Sequence, residues 1–130
     1  MTLFDPISDA LVNLKNHERA SKNACTIKPA SKLLKEILRV LQENGYIEKF
    51  EAAQEGSHSV FKIALLGKIN DCKSIKPRYA VKKDGFEKFE KRYLPSMDVG
   101  ILIVSTPKGV VSHKEAKKNG SGGRLLAFVY

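Results

Sequence analysis

Two apolar runs near the C-terminal end constrain this chain more than any other feature. Residues 99–104 and 125–130 are almost wholly apolar, which fits strands buried on both faces and paired within one sheet. Only the segment 105–124 joins them, so the connection must be short, exposed and locally specified. It reads as a polar loop of Ser105, Thr106, Pro107, Lys108 and Gly109, then a short helix, then a glycine turn over 120–123. Ser112 and Glu115 have the spacing of a capping box, and Gly120 supplies the stop. The expected order is therefore strand, polar loop, short helix, glycine turn, strand.

Upstream, Asp5 and Pro6 read as N-cap and first helical residue, and Ile7, Ala10, Leu11 and Leu14 recur at helical spacing. This predicts a helix from about Pro6 to about Ala20. Residues 24–27 form a short strand candidate ending before Lys28 and Pro29. Ser31 caps a second helix whose buried stripe is Leu34, Ile37, Leu38 and Leu41, ended by Asn44 and Gly45. Residues 46–53 and 58–66 then read as a hairpin around Glu55, Gly56 and Ser57. An extended piece over 71–75 leads into Lys76 and Pro77, a boundary between lobes. After a turn at Asp84 and Gly85, Phe86, Phe89 and Tyr93 mark a helix, stopped by Leu94, Pro95 and Ser96, and pack inward rather than against bases. The fold class is α+β in two small lobes. Residues 1–76 hold helices with a small sheet, and 77–130 form a mainly β lobe with a short helix.

A chain of 130 residues with 42% hydrophobic content folds as one domain or two small lobes. Its net charge of +9 is uneven: residues 1–65 carry nine basic and eight acidic groups, and residues 66–130 carry fourteen and six. Within 105–124 five basic residues face the single acid Glu115. Such asymmetry suits a polyanionic partner, because each lysine or arginine that neutralises a phosphate releases counterions.

Catalytic signals are missing. Cys25 and Cys72 lack CxxC spacing and are expected to be reduced and buried, with neither zinc nor a disulfide. His17, His58 and His113 have no metal-ligand or triad spacing and read as surface or cap histidines. The GSGG turn precedes a strand, whereas a P-loop lies between a strand and a helix N-terminus. Ser121 is not in a nucleophile elbow. Lys114, Lys117 and Lys118 read as a solvated helix face. No catalytic residue, metal or cofactor is expected. Nothing reads as a signal peptide or membrane span, so a cytoplasmic location and no membrane partner are expected.

Taken together, DPISDAL at 5–11, IKPASKLLKEI at 27–37, NGYI at 44–47 and GILIVSTPKGVVSHKEAKKNGSGG at 100–123 resemble the universal small-subunit ribosomal protein family S8, particularly its archaeal branch. The resemblance implies a non-enzymatic, two-lobed α+β protein of the small ribosomal subunit. It implies binding to a distorted helix in the central domain of small-subunit rRNA early in assembly, with neighbouring subunit proteins as further partners. In some members a similar site in the protein's own mRNA is also bound. The positions implied to meet RNA are Ser105, Thr106, Lys108 and Gly109, supported by Gly122 and Gly123, with Pro107 and Ser121 beside them. Asn13, Lys28, Ser31 and Lys32 are implied to touch a second stretch of backbone. Pro107 stands where many relatives carry a third small or hydroxyl residue, so a hydrogen bond is lost there and the loop is stiffened.

The residue chemistry agrees with that expectation. A-form RNA is read through its shallow minor groove, its 2′-hydroxyls and its unstacked bases. Ser105 and Thr106 have hydroxyls suited to 2′-hydroxyls or base edges, and Gly109, Gly122 and Gly123 allow backbone to come close. Lys108, Lys28 and Lys32 supply the phosphate term. The competing reading is a basic regulator that binds mRNA off the ribosome; a small nucleotide-dependent enzyme is the third.

Overall fold

The computed structural model describes residues 6–27, 31–76, 78–96 and 99–130. The expected cap Asp5, the candidate Lys28 with Pro29, and Pro77 of the expected boundary lie outside the described residues. The chain divides into two compact units, Met1–Asn70 and Asp71–Tyr130.

In the first unit α1 (Pro6–Arg19), β1 (Ala24–Ile27), α2 (Lys32–Glu43), β2 (Ile47–Glu55) and β3 (His58–Leu65) follow in order. The apolar spacing of α1 buries Ile7, Ala10, Leu11 and Leu14 as expected. The start of α2 is set by Ser31, whose hydroxyl accepts the Leu34 N–H at 3.1 Å. Its buried face is Leu34, Ile37, Leu38, Val40 and Leu41. Each such side chain contributes about 1.5–3 kcal/mol by leaving water, so Leu38→Ala is expected to cost about 2–5 kcal/mol. The helix ends at Asn44, whose side-chain amide donates to the Val40 carbonyl at 2.8 Å. The three strands form an antiparallel sheet in the order β1-β3-β2. Alternation puts Cys25 and Ile27 of β1 and Phe61 and Ile63 of β3 inside while Thr26 and Lys62 stay exposed.

The second unit contains β4 (Cys72–Ser74), β5 (Ala80–Val81), α3 (Phe86–Tyr93), β6 (Ile101–Thr106), β7 (Gly109–Ser112), α4 (His113–Asn119) and β8 (Gly123–Val129). Its antiparallel sheet has the order β4-β8-β6-β7, with β5 also paired to β8. The two apolar runs are thus neighbouring strands, with Ile101 opposite Val129 and Ser105 opposite Arg124. Leu102, Val104 and Leu125 pack with Phe86, Phe89, Leu94 and Ala116 in one core, and Tyr79, Tyr93 and Phe128 lie half-buried against it. The phenylalanines of α3 are therefore core residues, as their spacing predicts. Cys25 and Cys72 form no disulfide and are both buried.

Three features differ from the reading of the sequence. The polar segment 105–109 is no open loop: Ser105 and Thr106 belong to β6, and only Pro107 and Lys108 turn before Gly109 opens β7. Neither β7 nor β5 carries an alternation long enough to be recognised, and each exists because a longer strand lies beside it. The compact units divide after Asn70, ahead of the sequence boundary at 76/77. The piece 72–74 is hydrogen-bonded along β8, with Cys72 opposite Val129 and Ser74 opposite Ala127.

Candidate nucleic-acid interface

The hairpin between β6 and β7 is closed by the Thr106 hydroxyl. Thr106 Oγ1 donates to the Gly109 carbonyl at 2.7 Å and accepts the Lys108 N–H at 3.2 Å. Its side chain falls on the same side of β6 as Leu102 and Val104, and the residue is 8% exposed. Thr106 is therefore engaged within the turn and shapes what the tip presents. The tip itself is Pro107, Lys108 and Gly109, all exposed. Gly109 has φ +126°, where a side chain would be strained, and a Cβ there would meet nothing within 4 Å, so another molecule can approach its backbone. Ser105 projects to the opposite side of β6 from Thr106 and is half-buried.

The glycine turn is built for the chain's own backbone. α4 starts with the Ser112 hydroxyl accepting the Glu115 N–H at 3.3 Å, and ends on Gly120 at φ 67°. The N–H groups of Gly120 and Ser121 donate to Lys117 and Ala116 carbonyls, the arrangement that closes a helix with a left-handed residue. A Cβ on Gly123 would collide with the Ser105 carbonyl, and one on Gly122 with the Val81 carbonyl. These glycines let β6 and β5 flank β8 without obstruction. Their absent side chains, expected to make room for RNA, make room first for protein.

That close packing gathers charge. Ala80 and Val81 pair with Arg124 and Gly123, so Lys82 and Lys83, both exposed, emerge beside the glycine turn. Ser105 lies opposite Arg124 on the other side of β8. One end of this sheet thus brings together Ser105, the tip Pro107–Gly109, the half-buried Ser121, Gly122 and Gly123, and the cations Lys82, Lys83, Lys108 and Arg124. Lys82, Lys83 and Arg124 are not evident from the sequence as site residues, because a two-residue strand leaves no periodic signal. The adjacent KKD run was the one available hint.

In the first unit, Asn13 is exposed on α1, and its backbone carbonyl lies 2.8 Å from His17 Nδ1. Ser31 is the α2 cap and Lys32 is exposed at the first turn. These residues lie along α1 and at the start of α2 rather than on a hairpin.

A buried polar cluster lies beside Leu102, toward the other end of β6 from the hairpin tip. His113 is fully buried, which corrects its reading as a surface or cap histidine. It is the first residue of α4, and its Nδ1 accepts the Leu102 N–H at 3.0 Å. Because β7 ends at Ser112 opposite Ile103, the ring supplies the acceptor that the next strand residue would have offered. Nε2 sits 2.8 Å from Glu90 Oε1, at ion-pair distance, and Lys117 Nζ reaches the same oxygen. Lys117 thus reaches α3 while remaining exposed on the helix face, as are Lys114 and Lys118. Burial lowers the His113 pKa to about 4, opposed by the Glu90 charge and assisted by Lys117 and Lys114. The ring is neutral at physiological pH, as its acceptor role requires.

Among the described residues no group of three or more His, Cys, Asp or Glu is placed to hold a metal, and no helix is long and apolar enough to cross a membrane. The arrangement offers cations, exposed backbone and a rigid tip. The family model described as ribosomal protein S8 matches residues 5–130, and the chain accordingly belongs to that family, rRNA-binding constituents of the small ribosomal subunit.

Proposed function

We propose that this structural, non-catalytic protein binds the central domain of small-subunit rRNA through the sheet end formed by Ser105, the Pro107–Gly109 tip and the glycine turn, and assists folding of that RNA during subunit assembly. The observation that carries the reading is the open backbone at Gly109 beside Lys108, flanked through β8 by Arg124, Lys82 and Lys83. Cations hold the phosphates on either side of an irregular minor groove, and the tip inserts where bases are unstacked. Ser105 offers the hydroxyl, Thr106 holds the turn, Pro107 stiffens it, and Ser121, Gly122 and Gly123 support it from the neighbouring strand. Asn13, Lys28, Ser31 and Lys32 make a second, weaker set of backbone contacts from the first unit. Other small-subunit proteins are its neighbours in the cytoplasmic particle. Placement in the archaeal branch rests on the same resemblance of the stretches at 5–11, 27–37, 44–47 and 100–123.

A salt titration tests the reading: affinity for a transcript of the rRNA central domain against an unrelated duplex of equal length. Wild type should prefer the transcript by about 10³-fold or more, and a Ser105→Ala, Lys108→Ala double variant should lose most of that preference. Equal, steeply salt-dependent binding to both RNAs would mean charge without recognition. Capture of the protein's own mRNA with equal preference, and no association with small subunits, would favour the regulator instead.

A further inference from the structure

The outer face of α3 carries a feature that the sheet-end reading does not use. Arg92 is exposed, and its guanidinium carbon lies 5.5 Å from the ring centroids of both Tyr79 and Tyr93. Those rings are fixed: Tyr79 packs on Phe89 at 5.4 Å, Tyr93 stacks on Phe128 at 5.5 Å, and both rest half-buried on the core. The ion-paired cations differ. Arg39 is held by Glu36 and Glu43, Lys91 faces Glu87, and Lys117 meets Glu90. Arg92 has ring contacts and no carboxylate contact among the described residues. A guanidinium laid on aromatic faces has already lost much of its rotamer freedom while its N–H edge stays open, the condition for two-pronged contact with a phosphate.

The position links this group to the candidate RNA face. The Tyr79 carbonyl accepts the Leu125 N–H at 3.0 Å, and the next two residues form β5 alongside Arg124 and Gly123. Lys82 follows three residues after Tyr79, at most about 11 Å of extended chain. Arg92 and the sheet end are therefore connected by a continuous rigid strip of the same unit.

We infer that Arg92, seated on Tyr79 and Tyr93, is a second RNA-phosphate site that extends the bound RNA from the glycine turn along β5 to α3. The inference rests on the rRNA-binding reading above. An RNA backbone is favoured over an acidic protein because the site continues a basic strip containing Lys82, Lys83 and Arg124.

The test uses the full chain as wild type, Arg92→Ala, Arg92→Lys, Lys108→Ala and the paired-arginine control Arg39→Ala. Each is measured for Tm, for affinity and salt slope on the central-domain transcript, and for hydroxyl-radical protection of that RNA. Arg92→Ala should weaken binding about five- to tenfold and lower the salt slope by about one, with protection lost at nucleotides that Lys108→Ala leaves protected. Arg92→Lys should keep the slope and recover only part of the affinity, since an ammonium cannot make the forked contact. It also decides the matter should Arg92→Ala lower Tm. If both Arg92 variants match the Arg39→Ala control while Lys108→Ala still weakens binding, the inference is wrong and the sheet-end reading stands. If wild type shows no preference for the transcript, both fall. Loss of binding to a neighbouring subunit protein, with RNA affinity unchanged, would also overturn it in favour of a protein contact.

Discussion

All four buried polar side chains among the described residues, Glu90, Thr106, Ser112 and His113, lie in the second unit, and none lies in the first. The first unit solves its folding problem with simple amphipathicity: striped helices against one face of a three-stranded sheet whose other face keeps Thr26 and Lys62 exposed. The second unit buries most of β6, so the polar groups that end its strands and start its helix must find partners inside. It also carries most of the charge, thirteen basic residues against six acidic over 71–130, compared with ten against eight over 1–70. The difference teaches that the rigid, positively charged end of the second sheet depends on interior polar contacts, whereas in the first unit Asn13 is exposed along α1 and Ser31 and Lys32 sit at the ordinary start of α2.

The strongest way to break this comparison is to disturb the glycine packing. Gly123→Ala drives a methyl group into the Ser105 backbone and should cost about 3 kcal/mol or more. Gly56→Ala, in the first unit's open turn at φ 63°, should cost only about 1 kcal/mol. Urea midpoints compare the two directly, and equal costs would dissolve the contrast.

Next in size is His113→Ala, which strands the Leu102 N–H, leaves a cavity and leaves Lys117 as the remaining partner of Glu90 Oε1; it should cost about 2–4 kcal/mol. The same residue predicts a pH response. Its folded pKa of about 4 lies below the ordinary 6.5, so the unfolded chain binds more protons between those values. The stabilisation is present above pH 6.5 and is lost as pH falls toward 4, by an amount on the order of 3 kcal/mol. Stability measured across that window should flatten in His113→Gln; an unchanged slope would assign the response to other groups.

Thr106→Val should cost about 1–2 kcal/mol by opening the hairpin tip, with reduced RNA affinity as a consequence. Its counterpart Ser31→Ala should cost about 1 kcal/mol through the lost helix cap. Hydrogen exchange locates each effect: at Lys108 and Gly109 for the former, at the first turn of α2 for the latter. The smallest stability change is expected for Lys108→Ala, within about 0.5 kcal/mol. Its salt slope should nevertheless fall by about one, more than for Lys32→Ala. A larger effect at Lys32 would reverse the ranking of the two units.

Signals that act over a few residues were enough to locate α1, α2 and α3 from their apolar spacing, the caps Ser31 and Ser112, the stop at Gly120, and β6 and β8 as adjacent apolar strands. They also placed the family stretches that carry the candidate site. What remained hidden depends on groups far apart in the chain. Strand β5 exists because β8 offers it an edge, and so Lys82 and Lys83 come to lie beside the glycine turn. His113 is buried because β7 ends one residue too early to satisfy Leu102. The Thr106 hydroxyl, open to any role when read alone, is drawn into the turn because β6 and β7 pair in a register that sets it opposite Gly109. Periodicity and capping are written along one segment, but register and desolvation are properties of two segments brought together, and only the folded chain specifies which polar groups remain free to meet RNA.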